Sequence, residues 1–166
     1  MRGMNSYTAF LRVRHPTLDP REITQALGLE PAHAWAAGTP RDPDDPAARR
    51  GTHTDSYWLA PLGESPEGAD PLDLPPGLLA VGGTDWRVSQ RLPLESFLLS
   101  QTRLLAPRRS FLARLSAEGG SCDLAVTLHA LERFSVEFPP ALLRSLADLN
   151  IAVTIDVSTG AEAASS

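Results

Sequence analysis

Apolar and polar residues alternate most clearly at residues 7–14. Tyr7, Ala9, Leu11 and Val13 share one face, and Thr8, Phe10, Arg12 and Arg14 share the other. A period of two predicts a strand with one apolar and one mixed face. His15-Pro16 ends it, because proline has no N–H to give to a ladder. Residues 122–130 repeat the pattern, with Cys122, Leu124, Val126, Leu128 and Ala130 set against Asp123, Ala125, Thr127 and His129. Phe134, Val136 and Phe138 alternate with Ser135 and Glu137. Only Leu131, Glu132 and Arg133 lie between these two runs, so the spacing predicts an antiparallel hairpin. Ile151, Val153, Ile155 and Val157 predict a closing strand, opposite Ala152, Thr154 and Asp156. Shorter strands are predicted at 56–60 and 84–88.

The helical period appears three times. Asp19 can cap, Pro20 suits the first helical position, Glu22 completes the start signal, and Gly28 is placed to stop the helix. Its apolar stripe is Ile23, Ala26 and Leu27. Residues 93–105 carry Leu94, Phe97, Leu98, Gln101, Leu104 and Leu105 at helical spacing. Pro107 breaks the pattern, and a second run through Phe111, Leu112 and Leu115 ends at Gly119-Gly120, which predicts a kinked or paired helix. Pro139-Pro140 opens the last helix, with Leu142, Leu143, Leu146 and Leu149 as its stripe, and Asn150 turns the chain.

Two stretches, at about 38–54 and 61–83, are rich in proline and read as surface loops. The rest forms a single α+β domain over residues 1–160, with a frayed tail at 161–166. Phe10-Leu-Arg-Val-Arg followed by a Pro-led helix echoes Phe134-Ser-Val-Glu-Phe followed by another. The expected fold is therefore a mainly antiparallel sheet of five to six strands with helices on one face, in a ferredoxin-like, pseudo-duplicated arrangement.

The strand Phe10-Leu-Arg-Val-Arg-His-Pro, the run Leu18-Asp-Pro-Arg-Glu-Ile-Thr-Gln-Ala-Leu-Gly-Leu-Glu-Pro, Trp35 and Ser56-Tyr-Trp-Leu form one block of landmarks. Pro139-Pro-Ala-Leu-Leu-Arg-Ser-Leu-Ala-Asp-Leu-Asn-Ile and Val153-Thr-Ile-Asp-Val form another. In this order they resemble the bacterial family called domain of unknown function 4279. The resemblance implies the fold and brings no catalytic residues.

Composition narrows the chemistry. The net charge is −5 and no basic cluster stands out, which argues against nucleic-acid binding. All fifteen basic residues are arginine. Without lysine there is no Schiff-base amine and no P-loop lysine. Together with abundant Ala, Pro, Gly and Leu, this suggests a GC-rich bacterial genome. Cys122 is the single cysteine, so no intrachain disulfide or thiolate zinc cluster can form, and its placement reads as a small core residue. No apolar run reaches the ~18 residues of a membrane span, and the first residues lack a secretory pattern. A cytoplasmic protein is expected.

No nucleophile elbow or metal spacing is present, and no cofactor is expected. His53-Thr-Asp55, with His33 upstream, is the nearest approach to a ligand set and reads as solvated loop. Trp35 reads as the edge of the core. The mixed sheet face is the candidate working surface, with Arg12, Arg14, Trp58, His129, Glu137 and Asp156 as its residues. Trp58 is assigned there by parity, because it and Tyr57 must face opposite ways. Solvated cross-strand ion pairs, such as Arg12 or Arg14 with Asp156 or Glu137, are the plain alternative. The leading functional expectation is a non-enzymatic interaction module that binds a protein partner or a second copy through the sheet. The alternative is a small anionic-ligand-binding domain or enzyme using Arg12, Arg14 and His129, with Asp156 or Glu137 as a base.

Overall fold

The computed structural model describes residues 6–42, 44, 51–62, 93–130 and 135–159. The strands are β1 (Ser6–His15), β2 (His33–Trp35), β3 (Ser56–Pro61), β4 (Ser121–Ala130) and β5 (Ile151–Thr159). The helices are α1 (Pro20–Leu27), α2 (Leu94–Leu105), α3 (Arg109–Ala117) and α4 (Pro140–Asp148). Among the described residues they build one α+β unit around a five-stranded sheet of order β2-β3-β1-β4-β5.

The helix signals act locally. Asp19 Oδ1 accepts from the Arg21 N–H at 2.8 Å, and Gly28 at φ 68° closes α1 by donating to Thr24 O. Pro107 sits in a 3-10 turn (Ala106–Arg108) that joins α2 to α3, the predicted kink. Asn150 takes the left-handed conformation at φ 54° and turns α4 into β5.

β1 lies at the centre, antiparallel to both β3 and β4, while β4 and β5 are parallel. The sheet is therefore mixed rather than mainly antiparallel. Residues 135–139 form no strand, so the predicted hairpin from β4 is not observed, and residues 131–134 lie outside the described residues. The chain instead passes through α4 and returns as a parallel neighbour, which is why a crossover helix is needed. Val136 and Phe138 still pack against the core, so their alternation recorded burial without a ladder. The ferredoxin-like duplication is not confirmed, since β1 pairs only with antiparallel neighbours and β4 leads to a parallel one. The strand predicted at 84–88 lies outside the described residues.

Tyr7, Ala9, Leu11 and Val13 of β1 meet Trp58 and Ala60 of β3 and Cys122, Leu124, Val126 and Leu128 of β4 on the helix-covered face. Ile23, Leu27, Leu98, Leu112, Leu115, Leu142 and Leu146 close over them from the helices. Leu104 and Leu143, expected in helical stripes, are 70% and 52% exposed. Each follows or precedes a buried leucine, and 100° of rotation per residue turns the neighbour away.

Trp58 corrects an expectation. It pairs with Val13, whose side chain belongs to the apolar face, so Trp58 shares that face and is fully buried. Its flanking positions on the same face, Ser56 and Ala60, are small and leave room for the indole. Its Nε1–H donates to Thr24 Oγ1 at 3.0 Å, so the one polar atom of the ring is satisfied inside the core. Tyr57 is the residue that turns to the mixed face.

Candidate functional site

The mixed face is organised in rows fixed by register. One row runs His33, Leu59, Arg12, Asp123 and Ala152 across β2, β3, β1, β4 and β5. In it Arg12 grips Asp123 with two bonds, Nε to Oδ1 at 2.9 Å and Nη2 to Oδ2 at 2.6 Å. Thr154 Oγ1 donates to Asp123 Oδ2 at 2.8 Å from β5. Arg12 thus pairs with its direct cross-strand neighbour, not with Asp156 or Glu137, and its charge is spent on holding β1, β4 and β5 together.

The next row is Trp35, Tyr57, Arg14 and Ser121. Trp35 and Tyr57 lie directly opposite, with ring centroids 4.3 Å apart and planes within 12°. His53 stacks on Trp35 at 4.5 Å and 21°. The Arg14 guanidinium stands 5.9 Å from the Tyr57 ring centre, a cation–π contact. Burial pushes the Tyr57 phenol pKa up, against the opposing fields of Arg12 and Arg14.

His53 reaches this row because the chain between β2 and β3 folds back on itself. Gly38, at φ 81°, donates to His53 O at 2.8 Å, and the His53 N–H returns a bond to Thr39 O at 2.9 Å. Pro40 bridges Thr52, and Arg41 donates from its backbone to Gly51 O and from Nε to Thr52 O. Buried Ser56 anchors the base of this arm by accepting the Ala37 N–H at 3.0 Å. The stretch expected to be a surface loop at about 38–54 is a paired arm in its described part, while Pro43 and residues 45–50 lie outside the described residues.

Arm and sheet together enclose a concavity of about 500 Å³, lined by Arg14, Trp35, Arg41, His53, Thr54, Asp55, Ser56 and Tyr57. Among the described residues, neither Arg14 nor Arg41 has an ion-pair partner. Asp55 makes one side-chain hydrogen bond, from the Thr54 hydroxyl at 3.3 Å, and meets neither arginine in an ion pair. The site holds two guanidiniums without an ion-pair partner among the described residues, Arg41 bonded to Thr52 O and Arg14 set over Tyr57, together with one carboxylate and a stack of aromatic rings.

Residues 5–72 match the family described as Domain of unknown function (DUF4279). Every residue lining the concavity lies inside the matched segment. The match stops before β4, so the second block of the resemblance, at 139–157, is not covered by it. No curated protein and no solved structure matches the chain significantly.

The expected site residues divide. Arg14 joins the concavity. Arg12 is locked to Asp123, and Trp58 is core. Asp156 is exposed on the outer strand β5, and Glu137 is exposed on the irregular segment before α4, off the sheet. His129 pairs with Ser6 while Arg14 pairs with Ser121, eight residues further along β1, so roughly 26 Å of strand separates them. Among the described residues, His129 Nε2 is enclosed without a hydrogen-bond partner, as is Thr8 Oγ1. Trp35, Tyr57, Arg41 and His53 were not anticipated as a group. One signal for Tyr57 was available: small Ser56 and Ala60 flank Trp58, which favours the indole for the core and sends Tyr57 outward. Among the described residues, no three His, Cys, Asp or Glu side chains cluster as metal ligands would. His53 of the weak His53-Asp55 pair is stacked on Trp35, and His33 belongs to the Arg12 row. No helix among the described residues is long and apolar enough to cross a membrane.

Proposed function

We propose that this chain is a binding domain for a small organic anion, seated in the concavity between the β2–β3 arm and the end of β1. One observation carries the reading: Arg14 and Arg41 line a space of about 500 Å³ without a carboxylate partner, beside stacked Trp35, Tyr57 and His53. Guanidinium forks recognise carboxylates and phosphates bidentately. The volume falls within the range of roughly 300–1,000 Å³ usual for small-molecule sites. The role is binding, and no reaction is assigned. It keeps the anionic ligand expected from the mixed face and moves it from the Arg12–His129 surface to the Arg14 end.

The test is a thermal-shift and calorimetric screen with phosphate, sulfate and organic carboxylates. A ligand at 100 times its Kd stabilises the fold by about 2.7 kcal/mol. Arg14→Gln and Arg41→Gln are each expected to weaken binding tenfold or more, while Arg12→Gln leaves it within twofold. A protein whose melting point no anion raises at 10 mM overturns the reading.

A second reading, pairing with a protein partner or a second copy along β5, is favoured by the outer position of this nine-residue strand and by Val157, which is 53% exposed. Light scattering on the eluted protein tests self-association, and a strict monomer at 100 µM counts against it. The proposal also includes a bacterial cytosolic home, on the grounds of the all-arginine basic set and the single cysteine. Fractionation of the native host checks that.

A further inference from the structure

The lining of the concavity narrows the anion further, and this step rests on the anion-binding reading above. The lining carries two guanidiniums and one carboxylate that form no ion pair with one another. A bare phosphate or sulfate suits Arg14 and Arg41 but is repelled by Asp55. A simple amino acid suits all three and leaves the site with a net positive charge. A ligand with a strongly anionic group at one place and N–H donors at another satisfies both signs at once. The rings add a third requirement. Trp35, Tyr57 and His53 are half-buried and line the same space, with planes within 12° and 21° of each other. The rings stack on one another at 4.3 and 4.5 Å, so a planar ligand adds its own plane to an outer face of this stack.

We infer that the ligand is a nucleoside monophosphate: the phosphate held by Arg14 and Arg41, the base against the His53–Trp35 stack, and its amino and imino N–H groups donating to Asp55. The base with two adjacent N–H donors on its pairing edge is guanine, which matches the two oxygens of a carboxylate, whereas uracil offers no exocyclic donor. A single nucleotide fits better than a strand. The whole chain carries a net charge of −5, which opposes a polyphosphate backbone, and the space of about 500 Å³ is closed on one side by the arm.

The experiment is calorimetry on the full chain with four probes: inorganic phosphate, ribose 5-phosphate, UMP and GMP. GMP is expected to bind at least tenfold more tightly than ribose 5-phosphate, and UMP in between. Asp55→Asn is expected to remove the preference of GMP over UMP while leaving ribose 5-phosphate within twofold. Both Asp55 and Arg14 are exposed, so the variants keep the fold, and circular dichroism checks this. If all four probes bind alike, the anion site stands and the nucleotide assignment fails. If none binds, the nucleotide assignment fails, and the anion reading fails with it when the organic carboxylates also leave the melting point unchanged. A ten-nucleotide RNA that binds more than tenfold tighter than GMP also overturns the assignment, in favour of a single-strand groove.

Discussion

The Arg12–Asp123 pair gives the sharpest test of how the mixed face is used. The two side chains are 24% and 13% exposed, so the pair is neither a surface contact nor a core one. Exposed pairs are worth about 0.2–1 kcal/mol, and hydrogen bonds to charged groups about 1.5–3 kcal/mol. Two charge-assisted bonds at 2.9 and 2.6 Å, with Thr154 sharing the carboxylate, put the coupling at about 1–2 kcal/mol. Asp123→Ala leaves a half-buried guanidinium unpaired and Thr154 without its acceptor, so it is expected to cost about 2–3 kcal/mol. Arg12→Met keeps an apolar stem opposite its cross-strand neighbour Leu59 and costs less. Urea unfolding of both single variants and the double variant isolates the coupling. Repeating the cycle in 1 M NaCl keeps most of it, because a partly buried pair is poorly screened. A coupling energy below about 0.3 kcal/mol, within the error of additivity, refutes the clamp. It would return Arg12 to the pool of groups available for binding.

Trp58→Ala is expected to cost about 3–5 kcal/mol in the same assay, with Thr24→Val near 1 kcal/mol, because the indole fills the core and its N–H has one partner. A loss under 1 kcal/mol for Trp58→Ala contradicts its core placement. At Gly120 an added methyl would meet His15 Cδ2 at 2.7 Å and Leu115 O at 2.9 Å, so Gly120→Ala is expected to destabilise by about 1–3 kcal/mol. A neutral result by thermal melting removes the claim of a tight contact there. Burial pushes the Cys122 thiol from 9.0 up to about 12, with Asp123 adding to the rise. The folded thiol keeps its proton where the unfolded one ionises, so stability is full below about pH 9. It then falls by up to about 1.4 kcal/mol per pH unit as pH rises toward 12. Burial raises Tyr7 and Tyr57 in the same direction. Cys122→Ala is expected to flatten the first part of this decline in urea titrations between pH 8 and 10, and an unchanged slope disproves the linkage.

Much of the fold was readable from nearest neighbours in the sequence. The cap at Asp19, the stop at Gly28, the break at Pro107 and the turn at Asn150 depend on groups a few residues apart, and all four occur where the pattern predicts. The alternation at 7–14, 122–130 and 151–157 marked three true strands for the same reason. Val136 and Phe138 show the limit of that signal, since a period of two records which side is buried and not whether a neighbour completes the ladder. Tyr57 and Trp58 show another: both are large aromatics, and only the pairing of Trp58 with Val13 decides which one is core.

What the sequence determined alone was the inventory: an α+β chain, the helix ends, the apolar face of the central strand, and the sign of its charge. The tertiary structure decided the strand order, the parallel return of β5, and the site. Arg14, Trp35, Arg41, His53 and Tyr57 lie on β1, β2, β3 and the arm between β2 and β3, and they meet only because register aligns Trp35 with Tyr57 and Tyr57 with Arg14. Strand pairing joins residues far apart in the chain, and each residue's own neighbours carry no record of its partner.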